Sequence, residues 1–89
     1  MIVRNICPVC GYDGLPEPAW IDDAPSDEIC PSCGTQFGYH DGGRVGERRA
    51  IRQGELREAW KAAGCLWHSE VQPPPAGWDS GKQLKRIEE

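Results

Sequence analysis

The chain is poor in the residues that usually build a core. It has one phenylalanine and one methionine in 89 residues, and 38% of it is hydrophobic. At this length a hydrophobic core alone supplies only a few kcal/mol, so a metal or disulfide staple is expected. Large apolar area must come from Trp20, Trp60, Trp67 and Trp78, each able to bury roughly 150–250 Å². A run of about 20 apolar residues is missing, which excludes a membrane-spanning helix. Met1 to Asn5 open no apolar stretch of the secretory type, so a cytoplasmic location is expected.

Positive charge is also scarce. Lysine and arginine number 10 against 14 acidic residues, for a formal net charge of −4. That balance argues against general binding to a phosphate backbone, and nucleic acid is an unlikely partner on these grounds. Arg44, Arg48, Arg49 and Arg52 form the one basic cluster and read as a solvated helix face. Gly42-Gly43 lacks the spacing, and the following Lys-Ser/Thr, of a phosphate cradle.

A catalytic constellation is lacking too. Cys65 has His68 three places on, but no aspartate or asparagine is placed to orient that histidine. Asp22, Asp23, Asp27 and Asp41 read as solvated turn residues, and His40 as a surface or satisfied residue. The chain is not expected to be an enzyme.

What is present is cysteine in a pattern. Cys7-Pro8-Val9-Cys10-Gly11 and Cys30-Pro31-Ser32-Cys33-Gly34 are two CxxCG knuckles. In such a turn both sulfurs come round to one side, and glycine accepts the positive φ that closes it. Two CxxC pairs separated by roughly 15–20 residues are the spacing of a zinc site. Cys7, Cys10, Cys30 and Cys33 are therefore the expected metal ligands, with Zn²⁺ the expected ion and iron the alternative. A disulfide scaffold fits less well than metal-bound thiolates in a reducing cytoplasm. Four thiolates leave no open coordination position, so the expected role is structural. Cys65 is left over and reads as a small buried hydrophobe.

Along the chain, Ile2–Ile6 suggests a strand entering the first knuckle. Residues 12–27, rich in proline and aspartate, read as a loop anchored by Trp20 and Ile21. Glu28-Ile29 and Thr35–His40 suggest strands flanking the second knuckle, with Phe37 and Tyr39 on one face. From Glu47 to Ala63, apolar Ala50, Ile51, Leu56, Ala59, Trp60 and Ala63 recur at helical intervals. Gly54 leaves open one helix or two, and Gly64 is placed to end the run. Beyond Pro73-Pro74-Pro75, Asp79 or Ser80 can cap a last short helix with Leu84 and Ile87 on its inner face.

Two resemblances follow from these motifs. The knuckle runs Cys10-Gly11-Tyr12 and Cys30 to Gly34 resemble the rubredoxin pattern, which implies one-electron transfer at iron. Glu28 stands where rubredoxins usually place an aromatic. The run from Ile29 to Asp41 is similar to small bacterial cysteine-rich proteins of the CPCC type. That likeness extends through Trp60 to Gly64, the proline stretch, Trp78 and Gln83-Leu84, with Ser32 where that family often has a second cysteine.

The expected architecture is a small metal-stabilised α+β domain. Residues 1–43 would form a rubredoxin-like zinc ribbon of short antiparallel strands, and residues 44–89 a helical extension of one or two helices packed on it. Tyr12, Trp20, Phe37, Tyr39, Leu56, Trp60, Trp67 and Trp78 are the expected joint core. The expected function is that of a structural zinc module with a protein partner.

Overall fold

Regular hydrogen-bonded structure takes up little of this molecule, and most of its chain is turn and loop. The computed structural model describes residues 5–42 and 46–88. It contains two short strands, β1 (Trp20–Ile21) and β2 (Ala24–Pro25), and two helices, α1 (Glu47–Ala62) and α2 (Ser80–Leu84). The result is a small α+β fold with a two-stranded antiparallel sheet and one long helix. No helix among the described residues is long and apolar enough to cross a membrane.

The sheet lies where the sequence suggested only loop. Trp20 pairs with Pro25 and Ile21 with Ala24 across the two-residue turn Asp22-Asp23. Such a turn needs a positive φ, which Asp22 supplies at 54°; aspartate tolerates the left-handed region better than most residues. Pro25 has no N–H to donate and sits at the margin of the pairing, where that loss is tolerated. The amide of Ser26 extends the hairpin by donating to the Ala19 carbonyl at 2.9 Å.

The strands expected beside the knuckles shrink to single bridges, Asn5 with Leu15 and Ile29 with Gln36. Residues 2–4 of the first expected strand lie outside the described residues. The segment 37–40 is a turn rather than a strand, since the amides of Tyr39 and His40 both donate to the Gln36 carbonyl at 3.1 and 3.0 Å. Period-two alternation therefore does not apply there. Phe37 is fully buried, but Tyr39 is 76% exposed and leaves the expected core.

Gly54 does not divide α1, which runs unbroken for 16 residues. A Cβ at Gly54 would meet nothing within 4 Å, so this glycine fills no packing role. At the C-terminal end, the Gly64 amide donates to Lys61 and the Cys65 amide to Trp60, both at 3.0 Å. This is the paired bonding of a Schellman motif, with Gly64 at φ 102° in the position that requires it.

The inward stripe of α1 differs from the apolar one expected. Gln53 and Trp60 are its buried residues, with Leu56 packed against the core. Ile51 points outward at 57% exposure, and Ala59 and Ala63 are exposed. Polar side chains pass inward because loop carbonyls and a buried carboxylate await them. Arg57 donates from Nε to the Val9 carbonyl and from a terminal nitrogen to Pro8, both at 2.8 Å. Gln53 donates to Asp41 at 2.9 Å.

The core gathers Cys7, Val9, Cys10, Tyr12, Leu15, Cys30, Phe37 and Trp60. Trp20, Trp67, Trp78 and Leu84 pack on it while partly exposed. Trp67 links two rings edge-on, Tyr12 at 5.5 Å and Trp78 at 5.3 Å between centroids. Asp79 caps α2 by accepting from the Lys82 amide at 3.0 Å, and Ile87 lies half-buried beyond the helix.

Candidate metal centre

Both knuckles fold by the same local bonds. The Cys7 amide donates to Tyr12 at 2.7 Å and the Gly11 amide returns to Cys7 at 2.9 Å. The Cys30 amide donates to Thr35 at 2.9 Å and the Gly34 amide returns to Cys30 at 2.8 Å. Gly11 and Gly34 hold φ of 87° and 79°. In the first knuckle the Val9 amide is aimed at Cys7 Sγ at 3.4 Å, as a donor to thiolate should be.

The structure brings all four expected ligands together. The sulfurs of Cys7, Cys10, Cys30 and Cys33 lie within 4.8 Å of one another and can hold a metal ion. Each faces a sulfur of the other knuckle: Cys7 to Cys33 is 3.8 Å and Cys10 to Cys30 is 3.6 Å. A tetrahedron with bonds of about 2.3 Å has edges of about 3.8 Å, so these separations suit four-thiolate ligation. A disulfide would need about 2.05 Å, and all five cysteines are free. Cys65 stands outside the cluster, at the end of α1.

The chemistry of the donor set also calls for a cation. Burial first, then hydrogen bonding among the sulfurs, pushes the Cys7 thiol far above its ordinary range. The Cys30 thiol is pushed up by its hydrogen bond with Cys10, with burial adding to the rise. Cys33 is driven the other way by hydrogen bonds from Cys10, Cys30 and Cys7, with Thr35 adding to the fall. Alone, the cluster favours negative charge on Cys33 and opposes it on Cys7 and Cys30. A divalent ion at the centre removes that conflict.

A polar frame surrounds the sulfurs, and the sequence reading missed most of it. Gln83 of α2, only 2% exposed, donates from Nε2 to the Cys10 carbonyl at 3.2 Å and to Ser32 Oγ at 2.9 Å. Its Oε1 accepts from the Trp78 indole at 2.8 Å. One amide thus spans the two knuckles and holds a tryptophan. Ser32 is fully buried, and its hydroxyl has this partner. Gly11 has no room for a side chain, because a Cβ there would lie 2.2 Å from the Gln83 carbonyl.

Asp41 is fully buried as well. Its carboxylate accepts from Trp20 Nε1 at 2.9 Å, Gln53 Nε2 at 2.9 Å and the Gly38 amide at 2.8 Å. It ties β1, α1 and the 36–41 turn together, and is not the solvated turn residue expected. The spacing of Gln53, Arg57 and Trp60 along one helix face was the available signal for an inward polar stripe.

Two arginines of the basic cluster are committed as well. Arg49 stacks over Trp20 at 3.6 Å and bonds Asp23 at 2.8 Å, while Arg52 donates to the His40 carbonyl at 3.1 Å. These two do not form the freely solvated face expected, and Arg44 lies outside the described residues. His40 Nδ1 accepts from the Gln36 amide at 2.8 Å. The His68 ring covers Gly34, where a Cβ would meet Nδ1 at 2.6 Å.

No known family, no curated protein and no solved structure matches the chain.

Proposed function

We propose that this protein is a structural zinc-binding module whose metal fixes a surface for a protein partner. The observation that carries the reading is the closed set of four sulfurs, three of them with no exposed surface. With every position filled by protein, the ion has no site for water or substrate, which supports an architectural role. The local pattern of two glycine-closed knuckles supports the rubredoxin-like ribbon and the CPCC-type likeness. Commitment of Arg49 and Arg52 to internal contacts supports a protein rather than a nucleic-acid partner. Exposed Ile29, Tyr39, Leu66 and Val71 supply apolar surface for such contact.

The second reading is an iron electron carrier of the rubredoxin kind. The Val9 amide on Cys7 Sγ favours it, since such bonds stabilise thiolate charge and tune a redox-active ion. Elemental analysis and a visible spectrum, on protein purified without added metal or chelator, separate the two. About one zinc per chain with no visible band supports the structural site. Iron with strong visible absorption and a reversible one-electron couple replaces it with the carrier. Protein that takes up neither ion overturns both.

A further inference from the structure

The four cysteines are not equally covered. Cys7, Cys10 and Cys30 have no exposed surface, whereas Cys33 is only partly covered. Cys33 forms part of the wall of a cavity of about 280 Å³ that also runs along α1. Leu56, Ala59 and Trp60 make the helical wall, and Thr35 and His40 face them. No aspartate, glutamate, lysine or arginine lines the space. The hydroxyl of Thr35 lies 3.3 Å from Cys33 Sγ, and His40 Nδ1 is already occupied by the Gln36 amide. The cavity is thus a mostly apolar approach to a single cysteine of the cluster.

We propose that Cys33 is a modification site for small uncharged electrophiles of the Michael-acceptor class, and that addition there opens the metal centre. This rests on the four-thiolate reading above. In the step, a sulfur lone pair forms a bond to the β-carbon of the electrophile. The carbon–carbon π pair moves to the α-carbon, which takes a proton from water, and nothing is oxidised or reduced. The product is a neutral thioether, a much weaker donor than the thiolate it replaces. One anionic ligand is lost and the ion leaves with it. An apolar, uncharged lining desolvates a charged reagent without repaying the cost, so the site selects neutral ones.

The test uses the full metal-loaded chain and N-ethylmaleimide below one equivalent. Adducts are located by peptide mass mapping and released metal is followed with a colorimetric chelator. The first adduct among the clustered sulfurs is expected at Cys33, with one metal lost per Cys33 adduct. Adducts at Cys65, outside the cluster, leave the metal in place. A carboxylate-bearing maleimide should be several-fold slower at Cys33 but not at Cys65. Ala59→Leu, which narrows the cavity from the helix, should slow Cys33 several-fold while metal content and the Cys65 rate stay unchanged. First modification at Cys7, Cys10 or Cys30, or metal release without a Cys33 adduct, overturns the proposal. So does equal reactivity of Cys33 toward the two reagents. A chain that takes up no metal at the outset refutes the four-thiolate reading itself, before any electrophile is added.

Discussion

The side-chain amide of Gln83 donates to Ser32 Oγ at 2.9 Å across 51 residues of chain. The same nitrogen reaches the Cys10 carbonyl at 3.2 Å, so a residue of α2 joins the two cysteine knuckles to each other. Neither knuckle contacts its counterpart through a comparable backbone bond among the described residues; their sulfurs and this amide make the junction.

Gln83→Leu should therefore cost more than a surface change. It leaves the Ser32 hydroxyl, the Cys10 carbonyl and the Trp78 indole without their partner, and each buried orphan costs about 1–3 kcal/mol. The half-buried Trp78 indole can turn to water, so two orphans remain and we expect a loss of about 2–4 kcal/mol in denaturant unfolding. A midpoint indistinguishable from the parent would show that the amide is dispensable.

Cys30→Ser should abolish metal binding and leave the domain unfolded. Binding energy of about 10 kcal/mol or more is folding energy in small four-thiolate sites. Circular dichroism and metal content read the result together. An unchanged thermal melt in protein without metal contradicts it.

Asp41→Ala should cost about 3–5 kcal/mol, because three donors around a buried carboxylate lose their acceptor. Trp20 fluorescence should move toward that of a solvated indole as β1 detaches. Stability and emission both at parental values would contradict the view of Asp41 as a tie between hairpin and helix.

A smaller effect is expected in acid. Asp79 is held below its ordinary 3.8 by the Lys82 amide it accepts, with Gly81 adding to this. A depressed carboxylate contributes stability that is present above the unfolded value and lost as pH falls through the folded one. The cap of α2 should thus weaken only below about pH 4. Asp79→Asn keeps an acceptor and removes the titration. The melting difference between parent and variant should be flat above that pH and shrink below it. A difference that is level through the acid range refutes the assignment.

The gathering of four cysteines was legible because ligand spacing is a local code. CxxCG closes on itself, and its glycines at φ 87° and 79° do what the residue type predicts. The bounds of α1, from Glu47 to its Gly64 stop, were legible, but its continuity through Gly54 and its orientation were not. Its inward stripe includes Gln53 and Arg57, whose partners, Asp41 and the Pro8 and Val9 carbonyls, are distant in sequence. Periodicity counts apolar residues and cannot see a polar side chain whose acceptor lies on another loop. Tyr39 was misplaced for a related reason. A strand period does not hold in a segment that turns on the Gln36 carbonyl through two amide bonds.

The bond between Gln83 and Ser32 also sets an order of assembly. Ribosomal synthesis delivers both knuckles by Gly34, well before the amide that spans them. A nascent chain can therefore gather its four sulfurs early, while the residue that ties them arrives only after the whole of α1 has followed. Truncation after Gly64 would keep every ligand and discard Gln83, Trp67 and Trp78. Such a fragment would hold its two knuckles together through the sulfurs and the flank of α1, without the amide that spans them.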